Sequence, residues 1–148
     1  MKYMGSKNRI AKEILPIMLS ERQEEQYWVE PFVGGGNMID KITGNRIGAD
    51  NDWYVIDALT KIRDNPQLLP KDNIEFTEKE YKDRPRCGYV AFALSYGGKK
   101  WGGWCRDGAG KRDYVSEAYR NAQRQSHKLQ GIELVHSDYR ELNIPENS

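Results

Sequence analysis

The residues with the clearest chemical potential in this chain lie where apolar runs stop. Tyr27–Lys41 reads YWVEPFVGGGNMIDK, which places Glu30, Pro31 and the glycines Gly34, Gly35 and Gly36 at the end of an extended run. Glycines there allow a tight turn and let a ligand approach the backbone, and a helix beginning after them offers unpaired N–H groups. A turn made for packing alone would use the same residues. Glu30 narrows the ligand class, because its carboxylate would repel a polyphosphate and suits a cation such as a sulfonium. No Gly-x-x-x-x-Gly-Lys-Ser/Thr stretch occurs, which argues against a P-loop triphosphatase.

Two acidic turns follow in order. RIGAD ends in Asp50, where nucleoside-binding α/β folds hold ribose hydroxyls. Asp50 is equally a candidate N-cap for the helix starting near Asn51, and it is free for a ligand only if Asn51 or Asp52 caps instead. The run IELVHSD then delivers Asp138 and Tyr139. Three strand ends on one sheet edge, carrying the glycines, Asp50 and Asp138, would face a single crevice and point to a nucleoside-containing ligand.

These turns need elements to position them. SKNRIAKEILPIM opens with Ser6 as an N-cap candidate and repeats Ile10, Ile14 and Met18 at helical spacing, with Pro16 ending or kinking the helix. EQYWVEPFV reads as a buried strand and NMIDKIT as a short helix closed by Gly44. RIGAD is a second strand, and NDWYVIDALTKIRDN an amphipathic helix ended by Pro66. Strand, glycine turn, helix, strand, acidic turn, helix is a βαβα unit, which builds parallel sheet. A long polar helix, DYVSEAYRNAQRQSHKLQ, precedes the third strand. The stretch between the second helix and that strand is far longer than a crossover needs. Residues 66–131 therefore read as an insertion, and 1–65 with 132–148 as a core.

Composition sets the outer bounds. A length of 148 residues suits one small domain, and 11% aromatic content argues against disorder. The net charge of +1 neither requires nor excludes nucleic acid. Cys87, Cys105 and two histidines form no ligand spacing, so no metal site is expected. With no membrane-spanning run and no signal-peptide core at the N-terminus, a cytoplasmic protein is expected.

Four stretches together resemble a known family. EPFVGGG is similar to the cofactor motif of the Dam-like, D12-class adenine-N6 DNA methyltransferases, and KYMGSK to their N-terminal lysine motif. RIGADND resembles their ribose-binding motif and VHSDYREL their third cofactor motif, all in family order across essentially the whole chain. The resemblance implies an α/β, Rossmann-like S-adenosylmethionine-dependent methyltransferase fold, with a partial parallel sheet and a mostly helical insertion subdomain. It implies S-adenosylmethionine as cofactor, with Tyr3 and Lys7 bordering the pocket. Glu30, Pro31, Phe32, Gly34, Gly35 and Gly36 would wrap the methionine end, Asp50 the ribose, and Asp138 with Tyr139 the adenine. Residues 66–131 would recognise double-stranded DNA. There Lys99, Lys100, Arg106, Lys111 and Arg112 would neutralise phosphates, while Tyr96, Trp101 and Trp104 would wedge or stack at an opened base pair. Packing within the insertion is the competing role for these rings. In Dam-like enzymes the commonest target is GATC.

The family's catalytic tetrapeptide, Asp/Asn-Pro-Pro-Tyr/Phe at the end of a fourth strand, is absent from these residues, so no catalytic residue is assigned. In the family order that strand lies against the first, and without it Trp28–Val33 would form an open edge able to self-associate. Three readings follow: the N-terminal part of a methyltransferase, one half of a split enzyme completed by a C-terminal polypeptide, or a non-catalytic binder of DNA or cofactor. A small-molecule methyltransferase would leave the cationic, Trp-rich insertion without a role.

Overall fold

The computed structural model describes residues 1–148. Three parallel strands lie at its centre: β1 (Trp28–Glu30), β2 (Arg46–Asp50) and β3 (Glu133–His136), in the order β1-β2-β3. Val29 pairs with Ile47, and Gly48 with Leu134. β2 is covered on both faces, which is why it reads as a continuous small and apolar run. A Cβ on Gly48 would come within 2.9 Å of the Val33 side chain, so the central strand must be bare there.

The helices take their boundaries from local chemistry. α1 (Ala11–Met18) contains Pro16 one turn from its end and is capped by Ile10, not Ser6, whose hydroxyl instead accepts from the Asn8 N–H. The expected helix over NMIDKIT is only a 3-10 turn, Ile39–Lys41, because the chain must return at once to β2. α2 (Trp53–Asp64) starts where the Asp52 carboxylate accepts from the Tyr54 N–H, and it stops before Pro66. Val55, Ile56, Ala58, Leu59 and Ile62 form its buried face. Each of its fully buried branched side chains contributes about 1.5–3 kcal/mol.

The inserted residues give α3 (Glu78–Lys82), α4 (Gly88–Ala93) and α5 (Tyr114–Leu129). α5 begins on the Asp113 cap, and Arg46 at the start of β2 holds its C-terminal end through the Lys128 and Gln130 carbonyls. One hydrophobic cluster joins Val33, Ile39 and Leu59 to Tyr81, Phe92, Val115 and Leu129 of residues 66–131. The insertion is continuous with the core because α4 and α5 both pack on α2. α4 does so at very close range, since a Cβ on Gly88 would lie 1.6 Å from the Tyr54 carbonyl oxygen.

β1 is shorter than the apolar run suggested and pairs only with β2, so its outer edge is open. After β3 the chain crosses back toward β1, where the Tyr27 N–H donates to the Asn147 carbonyl at 2.9 Å. No helix is long and apolar enough to cross a membrane.

Candidate cofactor cleft and nucleic-acid interface

The three strand ends are laced together. Beyond β1 the Val33 N–H donates to the Ala49 carbonyl, and beyond β3 the Ser137 N–H donates to the Asp50 carbonyl at the end of β2. The Asp50 carboxylate accepts from the Gly34 N–H at 3.2 Å and from the Asp52 N–H at 3.0 Å. Because Asp52 takes the capping position, the Asp50 side chain stays at the crest between the first two turns. There it keeps lone pairs for a further donor.

Above these turns lies a cleft of about 400 Å³ lined by Tyr3, Lys7, Glu30, Phe32, Gly34, Gly35 and Asp50 among the expected residues. Gly5, Ser6, Val33, Asn37 and Met38 complete it. Pro31, Gly36, Asp138 and Tyr139 do not line it. Gly36 faces Leu59 and Gln125, while Tyr139 stands outside with its ring 5.3 Å from that of the exposed Phe32. The Asp138 carboxylate is engaged by Arg140 through three hydrogen bonds of 2.9 Å, two from the guanidinium and one from the backbone N–H, which hold it down at about 2.

Electrostatics single out Glu30. Burial pushes its carboxyl up to about 7, against the opposing hydrogen bond from the Trp28 indole N–H at 2.9 Å, and nearby Asp40 adds to the rise. A carboxylate so poorly solvated gains most from a cation placed beside it. The Tyr3 hydroxyl is likewise pushed up, by burial first and then by Asp50 and Asp52. The Lys7 ammonium donates to the Gly5 carbonyl and meets no carboxylate.

The glycine turn has a partner that sequence reasoning did not foresee. A Cβ on Gly34 would lie 2.8 Å from the Tyr3 ring, and one on Gly35 would lie 2.7 Å from both the Met1 carbonyl oxygen and the Tyr3 Cβ. The space those glycines free is thus taken by the chain's own N-terminal strap, residues 1–7, which forms one wall of the cleft. Gln125, inside the polar helix, is buried and donates to the Gly35 carbonyl at 2.9 Å, pinning the turn to α5. Its only sequence signal was its place on the apolar face, one turn before Leu129. Asn37, directly after the glycines, ties the strap down by donating to the Met1 carbonyl and the Ser6 hydroxyl.

The family model for D12 class N6 adenine-specific DNA methyltransferases matches residues 3–143. The chain belongs to this family. A search of curated proteins finds no match to it.

For a D12-class methyltransferase the second surface to place is the inserted loop. Ser95 and Trp104 form an antiparallel bridge at its base, and the Tyr96 N–H donates to the Gly103 carbonyl. Tyr96 is 73% exposed at the tip. Trp101 and Trp104 are half-buried instead, with ring centroids 5.4 and 5.5 Å from the buried Tyr81. Of the cations, Lys100 is paired with Asp52, Arg106 with Glu78 and Arg112 with Glu117. Lys99 and Lys111 are exposed and meet no carboxylate. The loop rests on the strap: the Met4 N–H donates to the Gly98 carbonyl, and a Cβ on Gly98 would lie 2.6 Å from the Tyr3 nitrogen.

Proposed function

We propose that this chain binds S-adenosylmethionine in the cleft above β1 and β2, and double-stranded DNA across the 95–112 loop. The setting is a Rossmann-like methyltransferase core serving adenine-N6 methylation. The observation that carries the reading is the paired acidic crest: the desolvated Glu30 and the turn-bridging Asp50 face one cleft at the carboxyl ends of adjacent parallel strands. The residues present fit this cofactor, whose bound form supplies a methyl group on a sulfonium. Glu30 would balance the positive charge and Asp50 would accept from ribose hydroxyls, with Tyr3 and Lys7 closing the side toward DNA. Phe32 and Tyr139 offer an exposed aromatic pair for the adenine. On the DNA side, Tyr96 is the ring free to enter a base stack, and Lys99 and Lys111 are the free phosphate partners.

Residues 1–148 contain no Asp-Pro-Pro-Tyr, so the acceptors that would hold the target amino group are not among them. A fourth strand paired with the open edge of β1 would bring such a tetrapeptide to the same crest. Calorimetry with S-adenosylmethionine tests the cofactor reading; saturable binding supports it, and none at millimolar ligand overturns it. Residues 1–148 alone should transfer no methyl group to unmethylated DNA. A second reading is a non-catalytic binder of DNA or cofactor. Activity restored by adding a polypeptide that carries the fourth strand would reject it.

A further inference from the structure

We infer that the groove on the other side of the strap, between residues 2–9 and the outer face of α5, is a contact surface for the phosphate backbone of double-stranded DNA. The inference rests on the DNA reading above and extends it to a surface outside the inserted loop. The groove, about 780 Å³, is lined by five cationic side chains, Lys2, Arg9, Lys41, Arg124 and Lys128. Its one carboxylate, Asp40, is 6% exposed and already paired with Lys41. The whole chain carries a net charge of only +1, so this is a local concentration of charge and not a reflection of composition.

The outer face of α5 carries the second observation. Arg120, Arg124 and Lys128 recur every four residues along it, a spacing that stacks like charges on one stripe and costs helix stability. No carboxylate pairs with any of the three: Arg120 and Arg124 donate only to Ser116 and Asn121, on their own helix. The stripe spans about 12 Å at 1.5 Å per residue, a length that covers three to four phosphates at ~3.4 Å per nucleotide. Position supplies the third argument. The groove shares Tyr3, Gly5, Ser6 and Asn37 with the cofactor cleft and reaches Gly97, beside Tyr96. The groove thus adjoins both surfaces on which the DNA reading rests.

The test measures affinity for a short unmethylated DNA duplex by fluorescence anisotropy over a range of KCl concentrations. The double variant Arg124→Gln with Lys128→Gln should flatten the slope of log K against log salt by about 1.8, at ~0.9 for each lost phosphate contact. The charge-conserving pair Arg124→Lys with Lys128→Arg should keep the parental slope. The charge-conserving variant should melt with the parent, and the glutamine variant at the parent's Tm or slightly above it, since these exposed like charges repel along the helix. An unchanged slope in the glutamine variant overturns the groove while leaving the DNA reading intact. A parent chain that binds no duplex overturns both. A larger loss on an RNA duplex than on DNA overturns the assignment to DNA.

Discussion

Replacing Glu30 by Gln should stabilise the protein and remove the pH dependence of its cofactor affinity. The Glu30 carboxyl sits at about 7 against an ordinary 4.5, chiefly because burial disfavours its charged form. A group raised in the folded state contributes stability that is complete below the unfolded value, near 4.5, and lost as pH rises through 7. At 1.36 kcal/mol per pH unit, the loss at about pH 8 is on the order of 3 kcal/mol. Gln keeps an oxygen to accept the Trp28 indole N–H and carries no charge. Urea melts should therefore show Glu30→Gln about 3 kcal/mol more stable than the parent at about pH 8, and equal to it at about pH 4.5. The ligand side has the opposite sign. A bound sulfonium favours ionised Glu30, so parental affinity for S-adenosylmethionine should fall about tenfold between about pH 8 and pH 6, on top of any change in the ligand. The ligand's own amine titrates in this range, but comparing parent with Glu30→Gln cancels it. Equal melts at about pH 8, or identical affinity profiles for the two proteins, would refute the reasoning.

Asp50→Asn removes a charged acceptor at the crest but not the Asp52 cap. It should weaken S-adenosylmethionine binding about tenfold or more by calorimetry with only a modest change in Tm, and an unchanged Kd would count against Asp50 as a ligand group. Gly88→Ala pushes a methyl group into the Tyr54 backbone at the α2–α4 crossing; loss of about 4 kcal/mol or of the cooperative melt is expected in denaturant titration. The Tyr89 hydroxyl is buried without a hydrogen-bond partner, so Tyr89→Phe should leave stability equal or raise it by about 1 kcal/mol in the same assay.

Of the expected βαβα unit, both strands and the second helix were legible because their signals are local, while the first helix shrank to the Ile39–Lys41 turn. RIGAD is β2 to the residue, and α2 and α5 follow their apolar faces between an Asp cap and a breaker. What escaped depends on neighbours distant in sequence. Ser6 has every property of a cap, yet the chain turns on either side of it, at Tyr3–Ser6 and Lys7–Ile10, and Ile10 takes the position. The cations of the insertion look alike in sequence, but Asp52, Glu78 and Glu117 occupy three of them. Trp101 and Trp104 could be assigned to DNA or to packing from sequence, and Tyr81 holds both rings against the core. Even the glycine triplet served a partner no pattern names, because the residues it accommodates belong to the chain's own first turn.

That strap has a consequence for how the molecule assembles. Its contacts reach residues 34, 36 and 124 positions away, at Gly35, Asn37 and Gln125, so most of the chain must be present before the wall of the cleft can close. The strap is thus made before its partners and docks after them, a high-contact-order step that follows formation of the sheet and α5. Among residues 2–7 only the Met4 and Ser6 N–H groups donate to backbone carbonyls, so local opening there costs less than opening the sheet or α2. Amide exchange over residues 2–7 should outpace exchange in β2 and α2, and the cleft would gain and lose its wall many times within the lifetime of a single folded molecule.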